Sequence, residues 1–263
     1  MTGLMRRAIR ASLVGAAFCA AASSALAKPV PGPAPASLPV PVPASVPVSV
    51  PALPAPVPDT IAQRLQACTF CHGKEGRATG EGYFPRIAGK PAGYLYNQLR
   101  NFREGRRHNR TMGYLIANMS DAYLMEIAAY FSELDLPYAS VAAGTSTAAE
   151  LERGRLLVSE GDASQKIPAC VQCHGQAMTG VAPFVPGLLG LPKPYLVAQF
   201  GAWRTSQRQA KAPDCMNQIS RQLSTEDLSA VASYLSQRPL PADPHPAASV
   251  PLPLPLECGS LIK

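Results

Sequence analysis

The feature that most constrains this chain is a six-residue motif, Cys-x-x-Cys-His-Gly, that occurs twice. It reads "CTFCHG" from Cys68 and "CVQCHG" from Cys170, 102 residues later. Further segments match after each copy: "FPRIAG" with "VPGLLG", "YLYNQLRNF" with "YLVAQFGAW", and "SDAYLMEIAAYF" with "STEDLSAVASYL". A sequence that repeats itself over this length predicts two copies of one structural unit.

Both copies are expected to be helical. Apolar residues recur at helical spacing in the last matching segments: Leu124, Ile127, Ala128 and Phe131, then Leu228, Val231, Ala232 and Leu235. Ser120 and Ser224 stand at the N-cap positions of these helices, and Asp59 and Thr147 are expected to cap the opening helix of each copy. Since no strand pattern competes, the sequence predicts an all-α fold.

The motif is the attachment signature of c-type haem. Two cysteines three residues apart lie about one helical turn from each other, so their sulfurs reach the two vinyl groups of one porphyrin. The next histidine is then directed at the iron. The predicted attachment and iron-binding residues are Cys68, Cys71 and His72, then Cys170, Cys173 and His174. A helical unit this small needs a large apolar group to pack around, and haem supplies one.

Two other uses of the cysteines compete with haem. Paired Cys-x-x-Cys motifs also form zinc sites, but one zinc site made by all four cysteines would leave both histidines unexplained. Redox-active disulfides of the thioredoxin type expect a βαβ frame, which the sequence does not suggest.

An iron held by one histidine has a sixth coordination position, which a methionine thioether suits in an electron carrier. The candidates in the first copy are Met112, Met119 and Met125. Met112 and Met216 both precede the N-cap serine of the last helix by eight residues, so the repeat predicts these two as ligands. Met119 aligns with Leu223 and is expected in the core. Met178 follows the second motif histidine by only four residues, too few to reach the other side of the haem.

Residues around the motifs are also expected to have roles. A ligating histidine usually donates its other N–H to a carbonyl, and Pro85 and Pro186 stand at matching places to accept it. The alternative is that these prolines only shape turns. The basic segment "REGRRHNR" at 103–110 is expected to orient a partner protein, with His108 a solvated loop residue.

The N-terminus predicts export. Residues 1–27 have the charged, apolar and small-residue order of a secretory signal that is cleaved after Ala27. The alternative is an uncleaved anchor, although the apolar run of 12 residues is short for a bilayer. Residues 28–58 alternate proline with small residues and are expected to be extended, either as a disordered leader or as a tether near the membrane surface.

Export changes both the charge and the cysteine count. Without the three arginines of the leader, the net charge falls from +7 to +4, too small to indicate nucleic-acid binding. Four of the six remaining cysteines belong to the motifs. In an oxidising compartment the other two, Cys215 and Cys258, are expected to form a disulfide.

With both motifs, the "FPRIAG" stretch, the Tyr-Leu-x-x-Gln helix and the methionine before a serine-capped helix, residues 59–237 resemble the dihaem cytochrome c4 family of class I cytochromes c. The resemblance implies two tandem cytochrome c domains, at 59–140 and 141–240, each wrapped round one covalently attached haem c. We name these the first and second repeat. The resemblance also implies that His72 and Met112 bind one iron and that His174 and Met216 bind the other. A proline-rich tail, 241–263, lies beyond the family pattern.

The implied function is electron transfer in the periplasm between respiratory redox partners, such as a respiratory donor and a terminal oxidase or dehydrogenase. The expectation is that the chain is not an enzyme, since a dihaem peroxidase needs one open iron and both repeats have a candidate methionine. The alternative function is a dedicated electron-accepting subunit of a periplasmic dehydrogenase, because the two extensions are suited to holding the chain near one partner.

Overall fold

The structure is a computed structural model that describes Gly32 and residues 58–79, 83–139, 144–249 and 253–261. The expected signal peptide at 1–27 and nearly all of the linker at 28–58 lie outside the described residues. The chain divides into two units, Met1–Pro54 and Ala55–Lys263, and everything below belongs to the second. None of the helices in the described part has the length and apolar character needed to cross a membrane.

Each repeat contributes five α-helices within the described ranges. Those of the first repeat are α1 (Ile61–Arg64), α2 (Gln66–His72), α3 (Ala92–Arg103), α4 (Arg110–Ile116) and α5 (Asp121–Ser132). Those of the second are α6 (Ala148–Ser159), α7 (Val171–His174), α8 (Lys193–Arg204), α9 (Cys215–Gln222) and α10 (Thr225–Gln237). Short 3₁₀ turns lie at Lys74–Gly76, Ala163–Gln165 and Gly259–Leu261. The prediction of an all-α fold is confirmed.

The helix starts follow the side-chain caps. Ser120, Thr147 and Ser224 each accept a hydrogen bond from the backbone N–H three residues ahead, at α5, α6 and α10, as predicted. The prediction for Asp59 was wrong by one residue. Thr60 caps α1 instead, while the Asp59 carboxylate pairs with Arg64 at 3.3 Å.

A small antiparallel pair interrupts the helices of the second repeat. Strand β1 (Gly180–Val181) pairs with β2 (Val185–Pro186) just after the second motif. Ala247 of the C-terminal tail adds to the edge of β1: its N–H donates to the Gly180 carbonyl and its carbonyl accepts from Ala182, both at 2.9 Å. The strands are two residues long, too short to leave an alternating pattern in the sequence.

Each repeat has its own apolar core. The core of the first is Leu65, Leu95, Ile116, Leu124, Ile127, Ala128 and Phe131. That of the second includes Leu157, Val158, Met178, Leu196, Phe200, Leu228, Val231, Ala232 and Leu235. The eight apolar residues predicted from helical spacing are all in these cores. Helices α6 and α10 lie close together at Gly154, where a Cβ would lie 2.2 Å from the Ala230 carbonyl oxygen.

The two repeats contact each other through equivalent residues. The His108 N–H donates to the Gln207 carbonyl at 2.7 Å, and the Gln209 N–H donates to the Arg106 carbonyl at 2.6 Å. His108 and Gln209 are 101 residues apart, as are Arg106 and Gln207. Both bonds therefore join the same two positions of the repeat, with the donor in the first repeat in one bond and in the second repeat in the other. This gives the contact an approximate two-fold symmetry.

The C-terminal tail is attached to the second repeat. Cys215 and Cys258 form a disulfide with their Cα atoms 5.3 Å apart, as predicted. Beside it, the Gly259 N–H donates to the Pro213 carbonyl at 2.9 Å. The bond joins the tail to the loop and the first residue of α9, next to the predicted ligand Met216.

Candidate haem sites

The first motif lies on α2. Cys68 and Cys71 are one turn apart, and both thiols are free and partly buried. Burial raises the pKa of the Cys68 thiol. His72 ends the helix, with its Nδ1 2.8 Å from the carbonyl oxygen of Pro85. Because a carbonyl only accepts, Nδ1 carries the hydrogen, and Nε2 keeps its lone pair for a metal.

The second motif has the same arrangement at greater depth. Burial raises the pKa of the Cys170 thiol to about 12 and also raises that of Cys173. The Nδ1 atom of His174 is 2.8 Å from the Pro186 carbonyl, so its Nε2 is likewise free. Burial is the main cause that lowers the pKa of the His174 imidazole, which favours the neutral form that binds metals. Both proline carbonyls orient a histidine, as predicted.

The glycine that ends each motif has a structural reason. Gly73 and Gly175 have φ angles of +77° and +82°, in the left-handed region that favours glycine. A Cβ on Gly73 would lie 2.2 Å from the carbonyl oxygen of Ala78. The chain can therefore turn away from the histidine at once.

The candidate methionines occupy different environments. Met112 and Met216 lie in the first turns of the matching helices α4 and α9, and both are partly exposed. Met119 and Met216 pack, partly buried, against the first and second cores, and Met178 is fully buried in the second. Met125 lies on α5 with 52% of its surface exposed.

The described residues contain no group of three or more His, Cys, Asp or Glu side chains placed to hold a metal ion. The four motif cysteines are therefore not gathered in a cluster of that kind.

Two arginines meet where the repeats touch. Arg107 donates to Gln98 at 2.9 Å and to Gln199 at 2.8 Å. Arg208 donates to the same two amide oxygens, at 3.2 and 2.8 Å. We name this group the arginine cluster; its members are Arg107, Arg208, Gln98, Gln199, Tyr94 and Tyr195. The three pairs are each related by 101 residues, so the cluster is a symmetric feature of the duplication.

The arginine cluster has positive charge without an acidic partner. Arg208 is buried, and neither arginine forms an ion pair with a described residue. Burial, and then repulsion from Arg107, lowers the pKa of Arg208. The Trp203 ring lies 3.9 Å from the Arg208 guanidinium, and its buried Nε1–H has no hydrogen-bond partner. A buried charge of this kind costs several kcal/mol unless an anion accompanies it.

The donor set therefore fits haem. The motif thiols can form the thioether bonds, each oriented histidine offers a free Nε2, and the arginine cluster with Trp203 offers donors for acidic groups such as propionates.

The sequence alone did not locate this cluster. Arg107 was expected to orient a partner from the surface, and that expectation was wrong because its guanidinium turns into the contact between the repeats. Arg103 and Arg106 also have internal partners, Asp121 and Glu104. The signal that could have found the cluster is the offset of 101 residues that Arg107 and Arg208 share with the paired tyrosines and glutamines.

Two helical repeats, each with a Cys-x-x-Cys-His helix, a carbonyl-oriented histidine and a methionine at the start of a later helix, define the class of two-domain class I cytochromes c.

Comparisons with known proteins identify the family. The chain is 30% identical to cytochrome c4 of Pseudomonas aeruginosa over 67% of this chain and 87% of that protein. It is 39% identical to the thiosulfate dehydrogenase electron acceptor of Stutzerimonas stutzeri over 65% and 78%. The structure of reduced cytochrome c4 from Pseudomonas stutzeri superposes with a TM-score of 0.57 at 29% identity, over 67% and 95%. No protein-family model matches the chain. The chain belongs to the dihaem cytochrome c4 family: it is an electron-transfer cytochrome that carries haem c and exchanges electrons with redox proteins.

Proposed function

We propose that the chain carries two haem c groups, one in each repeat, and passes single electrons between redox proteins in the periplasm. The attachment residues are Cys68, Cys71, Cys170 and Cys173, and the iron ligands are His72, Met112, His174 and Met216. When bound, haem supplies one-electron exchange between ferrous and ferric iron. The observation that carries the proposal is the arginine cluster, because its two-fold symmetry calls for acidic groups from both repeats.

The protein's own residues hold and orient the cofactor. The carbonyls of Pro85 and Pro186 fix the tautomer and direction of the two histidines. The arginine cluster offers charge-assisted hydrogen bonds, which are stronger than neutral ones, to acids brought near the contact. In this proposal the domains run over 59–140 and 141–240, since each range encloses one motif and its methionine.

The haem count and ligands can be tested together. We expect two haems per chain from the absorbance of the pyridine–haem complex, and one haem after Cys170→Ala with Cys173→Ala. Met112→Ala and Met216→Ala should each open one iron to carbon monoxide, because the sixth ligand is lost. Met119→Ala is the matched control, a methionine of the same repeat as Met112 that is also partly buried. Carbon monoxide binding to Met119→Ala but not to Met112→Ala would reverse the assignment.

The same ligand set supports a carrier and not an enzyme. A methionine at matching positions closes the sixth site in both repeats, so neither iron is open to a substrate. We expect no peroxidase activity in the wild type with hydrogen peroxide and a reduced dye. Turnover at an unmodified iron would contradict this.

A second, more specific function is electron acceptor for a thiosulfate dehydrogenase. It is favoured by the 39% identity with a protein of that name. The test mixes the oxidised cytochrome, thiosulfate and purified thiosulfate dehydrogenase of Stutzerimonas stutzeri, and follows haem reduction by absorbance. Omission of the enzyme is the control, and ascorbate shows that the haem is reducible. Reduction by ascorbate but not by the complete mixture would place the donor elsewhere.

The proposed periplasmic location rests on the predicted secretory signal at residues 1–27. We propose cleavage after Ala27, so that the mature chain begins at Lys28 and the proline-rich residues 28–58 form either a disordered leader or a tether near the membrane surface. N-terminal sequencing of protein released from the periplasm should begin at Lys28. An intact N-terminus in the membrane fraction would favour the uncleaved anchor.

A further inference from the structure

Exposed apolar side chains are concentrated in the first repeat. Among the described residues, the large apolar side chains with the most exposure are Phe70 (88%), Tyr114 (84%), Tyr83 (66%), Met125 (52%), Leu115 (37%) and Val197 (36%). Only Val197 lies in the second repeat. Scattered apolar side chains are ordinary on a surface, so the question is whether these form one patch.

Four of them lie in the first motif, on α4 or between the two in sequence. Phe70 lies between the two motif cysteines, and Tyr114 and Leu115 follow Met112 on α4. Tyr83 connects the two places. Its ring packs on Phe84 with centroids 5.0 Å apart, and Phe84 packs on the ring of His72 at 6.3 Å. On its other side, the Asn109 amide that caps α4 donates to the Tyr83 hydroxyl at 3.4 Å. We name Phe70, Tyr83, Tyr114 and Leu115 the first-repeat patch.

Within the described residues, the second repeat has the same fold but differs at three of these four positions. The residues equivalent to Phe70 and Tyr114 are Gln172 and Gln218, both polar and exposed. The residue equivalent to Tyr83 is Phe184, which packs against Gly93 of the first repeat: a Cβ on Gly93 would lie 2.5 Å from its ring. The duplication therefore kept the scaffold and changed the surface.

The loop before the second methionine is also different. Between Arg208 and Met216 it is three residues longer than the stretch between Arg107 and Met112. The added length includes the segment that the C-terminal tail holds, through the disulfide at Cys215 and the backbone bond to Pro213. In the first repeat His108, Arg110 and Thr111, just before Met112, are exposed.

Among the described residues, two exposed cations flank the first-repeat patch. Lys74 and Arg110 are exposed, and neither forms an ion pair with a described residue. The nearby cation Arg77 is neutralised by Glu75 at 2.7 Å. An apolar centre with exposed cations at its rim is complementary to an apolar centre with an acidic rim.

We propose that the first-repeat patch is the docking surface for a redox protein with carboxylates around an apolar contact, so that external electrons cross at the first repeat. The inference rests on the proposed electron-carrier function and names the side of the molecule that performs the exchange. In the exchange one electron leaves the donor and enters the cytochrome, and no covalent bond forms or breaks.

The test gives the first-repeat patch the residues of the second repeat. Phe70→Gln and Tyr114→Gln should each lower the second-order rate constant for reduction by thiosulfate dehydrogenase about tenfold, as expected for a central interface residue. Gln172→Ala and Gln218→Ala are the matched controls and should leave the rate constant unchanged. Reduction by iron(II)–EDTA, which needs no protein docking, should be the same for all variants and the wild type.

The charged rim is tested separately. Lys74→Gln should lower the rate constant at low salt and reduce its fall with added salt, whereas Lys211→Gln, an exposed lysine of the second repeat, should do neither. Equal effects of the two lysine variants would overturn the assignment of the rim.

A second electron donor separates a failure of the proposed donor from a failure of the proposed docking surface. If thiosulfate dehydrogenase does not reduce the wild type, that proposed donor is wrong, and the same variants are tested with a reduced flavodoxin chosen for its acidic surface. Rates that are equal for patch variants and controls with a reacting protein donor would overturn the docking surface. So would a dimer in sedimentation that Phe70→Gln or Tyr114→Gln abolishes, since the patch would then bind a second copy of the chain.

Discussion

Replacing Cys258 with serine removes the covalent bond between the C-terminal tail and the second repeat. The bond joins positions 43 residues apart. In the chain-entropy model a crosslink stabilises a protein by restricting its unfolded state, and a loop of this length contributes about 4 kcal/mol at room temperature. The tail also has native hydrogen bonds, Gly259 to Pro213 at 2.9 Å and Asn97 to Ser260 at 3.1 Å. We therefore expect Cys258→Ser to lower the free energy of unfolding by up to about 4 kcal/mol.

The assay is denaturant unfolding of the oxidised, haem-loaded protein, followed by circular dichroism. Cys215→Ser removes the same bond from its other end and should lose the same free energy, and the double variant should lose no more than either single one. A loss below about 1 kcal/mol would refute the reasoning, because the crosslink would then contribute little beyond ordinary contacts. Alkylation of both cysteines in the wild type without a reductant would refute the bond itself.

The same variant tests the link between the tail and the second iron. Cys215 is the residue before Met216, so loss of the disulfide should loosen the proposed Met216–iron bond and leave the proposed Met112–iron bond intact. The weak sulfur-to-iron charge-transfer band of the oxidised protein should fall by about half. Unchanged intensity would show that the tail does not support the ligand loop.

Three further predictions concern stability. Gly154→Ala should lower the free energy of unfolding by about 1–3 kcal/mol, because its Cβ would overlap a backbone carbonyl. Gly201 lies in helix α8 with open space around it, so Gly201→Ala should be neutral or stabilising by up to about 1 kcal/mol. Chemical denaturation of the two variants compares these values. Lys90 is buried, and burial lowers its pKa from 10.5 to about 8. Because the unfolded chain binds this proton more tightly, the free energy of unfolding of the wild type should rise by up to about 3 kcal/mol from about pH 8 to about pH 10. Lys90→Met should abolish that rise when unfolding is measured across the same pH range. The Arg153 guanidinium lowers the pKa of the Asp227 carboxyl, so the stability from this pair is present above about pH 4 and is lost as the pH falls; Asp227→Asn should give a flatter acid-unfolding curve than the wild type.

Much of the local structure was available from the sequence. The helix caps at Ser120, Thr147 and Ser224 were predicted, because a cap depends on side chains within three residues of each other. The core positions of α5 and α10 followed from helical spacing for the same reason. The failure at Asp59 is also local: a neighbouring threonine offered a competing cap, and Arg64 attracted the carboxylate.

The sequence could not show which charged side chains would be buried between the repeats. Arg107 read as one of several surface cations, yet the structure places it against Arg208, because the contact between the repeats brings together positions 101 residues apart. Lys90 is buried by the same contact, where it donates to the Gly187 carbonyl at 3.0 Å. Burial of this kind depends on how two folded surfaces meet, and no local pattern encodes it.

The sequence by itself determined the two motifs and predicted the haem attachment residues and iron ligands. It also predicted the pairing of Cys215 with Cys258, by elimination in an oxidising compartment, which the structure has. Only the tertiary structure showed that Tyr83 is exposed while its equivalent, Phe184, is covered. In the first repeat Phe70 and Tyr83 face solvent, whereas in the second the equivalent Phe184 lies in the contact between the repeats. The physical reason is that spacing fixes which atoms can bond to one haem, while exposure is set by the packing of distant segments against one another.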